Sequence, residues 1–501
     1  MPRVPLLSGT KLVLANAPDD AVVLRPPAPA GGSVDVAAAV RDALRFPLEG
    51  DGIEALARRG GRATIVVEPP VLPIPTAHSD PRRLAVTAVV DELERLGIPT
   101  GYQTFLVAGG LGRRMSQRDL DTLVTPELAR RFHGNVVVHD VEDPELVAIV
   151  ESSRPPLRVN RALVDTDLVI VVTAAETVLH GGPAALLAAA GADAARAGGA
   201  YSLLETTASQ GWHLALLLEQ ALSRRVPLLG VSLVLNHPQL SGALRGYPYD
   251  ADAAERIARS PLRIAYGALP EGIRRGFVLK SLHADYSVAT ALAGPPSVAH
   301  AEALLRAVEQ RQASMDRPLD TVVIGIPAAT PYLPRERPNP LLAAYLGLGL
   351  GLRLWRDAFP VVEGGTAILV GRFDRHFAHP TQQPYRTFFH ATSRAGRDPR
   401  TLSEAERAAA VDERALAGYR GGRTVHPLLP FRDWNGCQPA LGRLGNVLVA
   451  GAADATAVRQ LGFVPVHGVG AALEMARGQG HERIGFILSP PYFPIRVTGT
   501  G

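Results

Sequence analysis

Apolar residues in this chain fall into short unbroken runs rather than alternating ones. Residues 63–67 (ATIVV), 104–108 (TFLVA), 135–138 (NVVV), 167–172 (DLVIVV) and 229–235 (LGVSLVL) come first; 321–326 (TVVIGI), 366–370 (TAILV), 446–450 (NVLVA) and 484–488 (IGFIL) follow. A strand apolar at every position is covered on both faces, as in parallel sheets lying between layers of helix. Between the runs lie segments with apolar positions three and four apart, at 84–96, 212–224, 299–312 and 470–478. The alternation predicts an α/β fold of two domains. Each has a mostly parallel sheet flanked by helices, and a cleft runs between them. The polar stretch 309–318 (EQRQASMDRP) sets the division, giving domains 1–308 and 319–501. Gly347, Gly349 and Gly351 lie inside an apolar helical run and read as close packing, not as a phosphate loop.

Composition narrows the function. With 501 residues, 47% hydrophobic and 20% charged, the chain has the size and balance of a two-domain globular protein. Its net charge of +4 comes from scattered arginines. No basic run, aromatic-basic stripe or helix-turn-helix points to nucleic acid. The single cysteine, Cys437, excludes an intrachain disulfide and a Cys-rich metal centre. There is no signal-peptide pattern at the start and no apolar run long enough to span a bilayer. Residues 341–354 are apolar but short, and Arg353 and Arg356 close them. The expectation is a cytoplasmic protein without a membrane or nucleic-acid partner.

Two polar clusters stand out. His180-Gly181-Gly182-Pro183 sits between an apolar strand and a helix that proline can start. Its glycines would let a backbone approach an anion closely, or they simply make a tight turn. Arg372-x-x-Arg375-His376-x-x-His379 follows the strand at 366–370, where ligand sites gather in α/β sheets. It is a candidate catalytic cluster or a polar loop. No P-loop, zinc-protease or serine-hydrolase motif is present.

The order of softer motifs resembles the nickel-dependent lactate racemase family. Residues 43–48 (ALRFPL), 65–75 (IVVEPPVLPIP), 107–114 (VAGGLGRR), 158–172 (RVNRALVDTDLVIVV) and 171–191 (VVTAAETVLHGGPAALLAAAG) follow that family's frame. So do 233–236 (LVLN), Ala293-Gly294 with Ala299-His300, Asp433-Trp434, 441–451 (LGRLGNVLVAG) and the ending at 460–476. The resemblance implies a hydoxy-acid racemase or epimerase with a covalently held nickel-pincer nucleotide. The positions that would carry this chemistry are replaced. Ala184 stands at the lysine that anchors the nucleotide, and Gly112 and Ala174 stand at the acid/base histidines. Pro69 and Leu72 replace an Asp and an Arg, the nickel-ligating histidine has no clear counterpart in the rewritten stretch 191–209 (a gapless match gives Ala200), and Leu341, Leu342 and Tyr345 replace a substrate-binding Tyr-Gln-x-x-Lys.

Alanine cannot form the covalent link, and glycine and alanine cannot move a proton. The frame therefore implies no covalent pincer nucleotide and no metal site. His180, Arg375, His376 and His379 are the catalytic candidates. Gly181, Gly182, Arg113, Arg372, Asn339 and Trp434 are candidates for binding a small carboxylate. Two functions follow: an isomerase of 2-hydroxy or sugar acids with an altered site, or a non-catalytic ligand- or partner-binding relative.

Overall fold

The computed structural model describes residues 2–28, 32–69, 80–116, 121–282, 286–329, 337–377, 379–395 and 399–499. Leu72 lies outside the described residues.

All nine apolar runs form strands, and they supply nine of the twelve strands of two six-stranded sheets. The first has the spatial order Val288–Gly294, Leu228–Leu235, Leu168–Ala174, Ala63–Val67, Gln103–Val107, Asn135–Val138. Its strands are parallel except Val288–Gly294, which runs antiparallel to its neighbour. Alternate side chains point to opposite faces, and both faces are covered. Ile65, Ile170 and Leu233 pack with Val40, Leu44, Val86 and Val89 from the helices Val36–Arg45 and Arg82–Arg95. Val66, Leu106 and Val171 pack instead with Leu186, Leu214 and Leu218 from the helices Pro183–Ala188 and Gln210–Ser223. Two apolar layers explain why these strands do not alternate.

The second sheet has the order Val464–Val466, Asn446–Ala450, Val361–Val370, Leu319–Gly325, Ile484–Ile487, Val22–Leu24, all parallel. Its last strand comes from the start of the chain. The preceding hairpin, Arg3–Ser8 with Lys11–Asn16, also sits on this sheet, where Val4 and Leu6 join Val323, Ile368 and Phe486. The division at 308/319 does not keep the N-terminus with the first half alone: Val22–Leu24 joins the second sheet, and the hairpin packs both on that sheet and against Tyr247 and Ala254 of the first half. Within residues 309–318, Ala313–Met315 forms a short strand alongside Ile495–Val497.

The helix Pro340–Ala344 continues into a wide turn of π-helix, Tyr345–Gly351, whose residues are all buried. A Cβ on Gly347 would come within 2.6 Å of a Leu369 methyl. Glycine there lets the backbone lie directly on the second sheet, as close packing requires.

Candidate functional site

The parallel strands of the first sheet end together, and the residues that follow them are polar. Glu68 directly follows Ala63–Val67, Glu176 follows Leu168–Ala174 by two positions, and Asn236-His237 follow Leu228–Leu235. The glycine-rich segment at 109–112 follows Gln103–Val107. The carboxyl edge of a parallel sheet is where ligands bind in open α/β folds. Here the second half of the chain closes over it with Tyr345, Arg353 and the helix Leu429–Leu441.

Between them lies a cavity of about 690 Å³, within the ~300–1,000 Å³ typical of small-molecule sites. Pro69, Gly112, Ala184, Ala200 and Tyr345 all line it. These are five of the replaced positions, gathered from both halves of the sequence onto one wall. Leu341 and Leu342 are fully buried in the second core instead, and Ala174 is buried at its strand end. The cavity keeps its place and loses its inherited side chains.

The groups that remain are mostly cationic. Among the described residues, Arg113, Arg196, Arg353 and Arg432 line the cavity against a single acidic side chain, Glu68. Arg196 is paired with Glu406 at 3.2 Å. Arg353 donates to the Gly436 carbonyl at 3.0 Å and to the Ala200 carbonyl, so it ties the two halves together at the cavity. Leu203 N–H donates to the Arg353 carbonyl at 2.7 Å in the same seam.

Behind the wall is a buried charge network. Arg82 makes a two-pronged contact with Asp80, at 2.9 and 2.6 Å to Oδ2. With that pair closed, neither Glu68 nor Glu176 has an ion pair of its own among the described residues. Burial pushes the Glu68 carboxyl up to about 7, against the pull of Arg82, of the Gly181 N–H and of Arg432. Burial pushes Glu176 up to about 8, opposed by Arg82 and reinforced by Asp80. Glu176 Oε1 is buried without a hydrogen-bond partner. His180 lines the cavity as a neutral imidazole, pushed down to about 3 by burial and by the charges of Arg432 and Arg82.

The Gly-Gly turn proves to be structural. Gly181 N–H donates to Glu68 Oε2 at 2.7 Å and Gly182 N–H to Thr173 Oγ1 at 2.9 Å. Ala184 and Ala185 N–H donate back to the Gly181 and Gly182 carbonyls. No N–H of that turn is left for an anion, so Gly181 and Gly182 are corrected from ligand contacts to a scaffold. Both glycines have positive φ, +96° and +52°, and the buried His300 ring fills the space a side chain would take.

The second cluster is also relocated. Arg372 pairs with Glu271 at 2.7 Å and with Asp374 at 3.1 Å; Arg375 pairs with Asp454 at 2.5 Å. His379 accepts from Thr381 N–H and caps the following turn. His376 is exposed, and none of the four lines the cavity. Asn339 caps the helix Pro340–Ala344 by accepting from Leu342 N–H at 3.0 Å. Trp434 is buried against Phe388 and Phe463. Of the ten candidates, Arg113 and His180 have side chains at the cavity. Sequence reasoning missed Glu68, Glu176, Arg353 and Arg432. The available signal was positional: Glu68 follows a buried strand, and Arg432 directly precedes Asp433-Trp434.

This is an α/β protein with two six-stranded, mostly parallel sheets and a cavity where the strands of the first sheet end. Residues 9–181 match the lactate racemase N-terminal domain family, about a third of the chain. The structure of the lactate racemase apoprotein from Thermoanaerobacterium thermosaccharolyticum superposes with a TM-score of 0.61 at 14% identity, covering 99% of this chain and 100% of that one. A Thermotoga maritima protein reaches 0.46 at 11% identity, covering 92% and 97%. No curated protein matches the sequence. Residues 9–181 thus match the lactate racemase N-terminal domain, and the chain as a whole has the fold of the lactate racemase apoprotein. Its cavity does not fit that family's covalent cofactor: Ala184 presents a buried methyl group where the anchoring amine would be, and Ala200 offers no metal-binding atom. Among the described residues, no helix is long and apolar enough to cross a membrane.

Proposed function

We propose that this protein binds a small carboxylate, of the 2-hydroxy acid or sugar acid class, non-covalently in the cleft, and that it carries no covalent pincer nucleotide. The observation behind this reading is the sign of the wall: among the described residues, Arg113, Arg353 and Arg432, with Arg196 already paired to Glu406, stand against one carboxyl that burial brings near neutrality. A cationic, partly desolvated cavity attracts an anion far more strongly than the same charges in water. The family fold favours hydroxy acids within the anions. Titration calorimetry with lactate, malate and gluconate tests it. Saturable one-to-one binding that is weakened at least tenfold in Arg432→Ala is expected; absence of binding for all three acids overturns it.

A racemase or epimerase acting on the same acids is the second reading. One observation favours it: Glu68 is a carboxyl able to exchange protons near neutral pH at the cavity wall. Chiral analysis of L-lactate and L-malate incubated with the protein separates the two. Unchanged optical purity is expected for the binding protein, and conversion toward the racemate establishes the isomerase.

A further inference from the structure

Among the described residues Glu68 is the one acidic side chain on the cavity wall, and its surroundings treat its two oxygens differently. Oε2 accepts the Gly181 N–H at 2.7 Å. No second donor reaches the carboxyl among the described residues. The nearest buried cation on the same edge, Arg82, is turned to Asp80 by three hydrogen bonds through Nε and Nη2. It acts on Glu68 through its field only. Glu176 sits behind with Oε1 buried and unpartnered, so a second carboxyl with no ion pair stands on that side. Facing Glu68 from the packed elements are Arg82 and Asp80 before and at the start of one helix, Arg432 on another, Glu176 after the neighbouring strand, neutral His180 in the turn, and Arg113 and Arg353 on the rest of the wall. A carboxylate ligand drawn in by the arginines adds a negative charge to the wall that Glu68 occupies. Two carboxyl groups in one desolvated site do not both stay ionised.

We infer that Glu68 holds a bound carboxylate as a neutral acid, with Oε2 accepting from Gly181 and an Oε1–H directed to the ligand, so that each anion bound above neutral pH brings one proton with it. This rests on the carboxylate-binding reading and specifies its recognition. The step balances simply: a proton from solvent joins the Glu68 carboxylate, the ligand enters as its anion, and the site's net charge is unchanged. Glu176 is a positioning residue. Kept neutral, it leaves Arg82 with Asp80 and withholds an ion pair from Glu68.

The sign of the linkage follows. Where free Glu68 is already protonated, binding needs no proton and affinity is flat. Above that range ionised Glu68 opposes the ligand, and affinity falls about tenfold for each pH unit. The test is calorimetric titration of the full chain with lactate, malate and gluconate at pH 6 and pH 9. Each titration is run in two buffers of different protonation enthalpy. The expected result is an affinity at least tenfold weaker at pH 9, with a buffer-dependent heat at pH 9 corresponding to about one proton taken up per ligand. Glu68→Gln, which keeps the shape and a donor, is expected to bind with equal affinity at both pH values and no buffer-dependent heat. Glu176→Gln keeps proton uptake but shifts its onset in pH, which a purely structural role would not do. Wild-type binding with one affinity at both pH values and no proton uptake overturns the inference while leaving the carboxylate reading intact. No binding of any acid at either pH removes both. Wild-type behaviour decides the matter even if a variant does not fold.

Discussion

Replacing Gly182 with alanine measures how the turn at the cavity floor is held. The residue has φ +52°, where a side chain costs about 1–2 kcal/mol. Its new Cβ would stand 2.6 Å from His300 Cγ and 2.9 Å from the Pro296 carbonyl oxygen. Neither neighbour yields easily. The His300 ring is fully buried, with Nε2 2.9 Å from the Thr177 carbonyl and Nδ1 3.3 Å from Ser232 Oγ, and the other contact is backbone. Overpacking of this kind adds about 1–3 kcal/mol. The total of about 2–5 kcal/mol is a large share of the ~5–15 kcal/mol that stabilises a folded protein. Urea denaturation followed by circular dichroism reads the change directly. A loss below about 0.5 kcal/mol refutes the packing argument. An unchanged midpoint with loss of anion binding would return the turn to the role of a ligand contact.

Other substitutions separate framework from site. Asp80→Asn leaves Arg82 buried without its partner and is expected to cost about 3–5 kcal/mol in the same assay. Tyr385→Phe removes a buried 2.6 Å hydrogen bond to Asp433 and should cost about 1.5–3 kcal/mol. The double change His376→Ala with His379→Ala is expected to leave carboxylate affinity within twofold of wild type by calorimetry, because both side chains lie away from the cavity. Thermal midpoints across pH should peak near pH 6.5. His180, His237 and His300 have folded pKa values lowered to about 3, 3 and 4, so the unfolded chain binds their protons first and stability falls as pH drops below 6.5. Glu68 and Glu176 are raised to about 7 and 8, so their contribution is full below the unfolded value of 4.5 and is lost as pH rises through their folded values.

Strand positions were legible because burial on two faces leaves a mark that needs no partner information: residues 63–67, 135–138 and 446–450 read as strands to the residue. The strand Val22–Leu24 was not read because its partner, Ile484–Ile487, lies at the far end of the chain. The site was legible mainly by subtraction. Ala184, Gly112 and Pro69 could be marked as replacements, and the structure brings them to one cavity. What replaced them was hidden, since the meaning of Glu68 depends on Gly181, Arg82 and Arg432, which are distant in sequence. Arg353 looked like the polar end of an apolar run, yet it is buried and joins the two halves. Conversely, the density of Arg372, Arg375, His376 and His379 came from surface ion pairing and turn capping, which place the same residue types close together as a catalytic site does.

The central claim is that the family's fold persists here around a cavity that holds its ligand without the covalent cofactor. Intact-mass spectrometry with nickel analysis, on protein co-expressed with the enzymes that make the pincer nucleotide, tests it most directly. The account predicts the 53.1 kDa mass of the unmodified chain and no stoichiometric nickel. A nickel-containing adduct on every chain would contradict it.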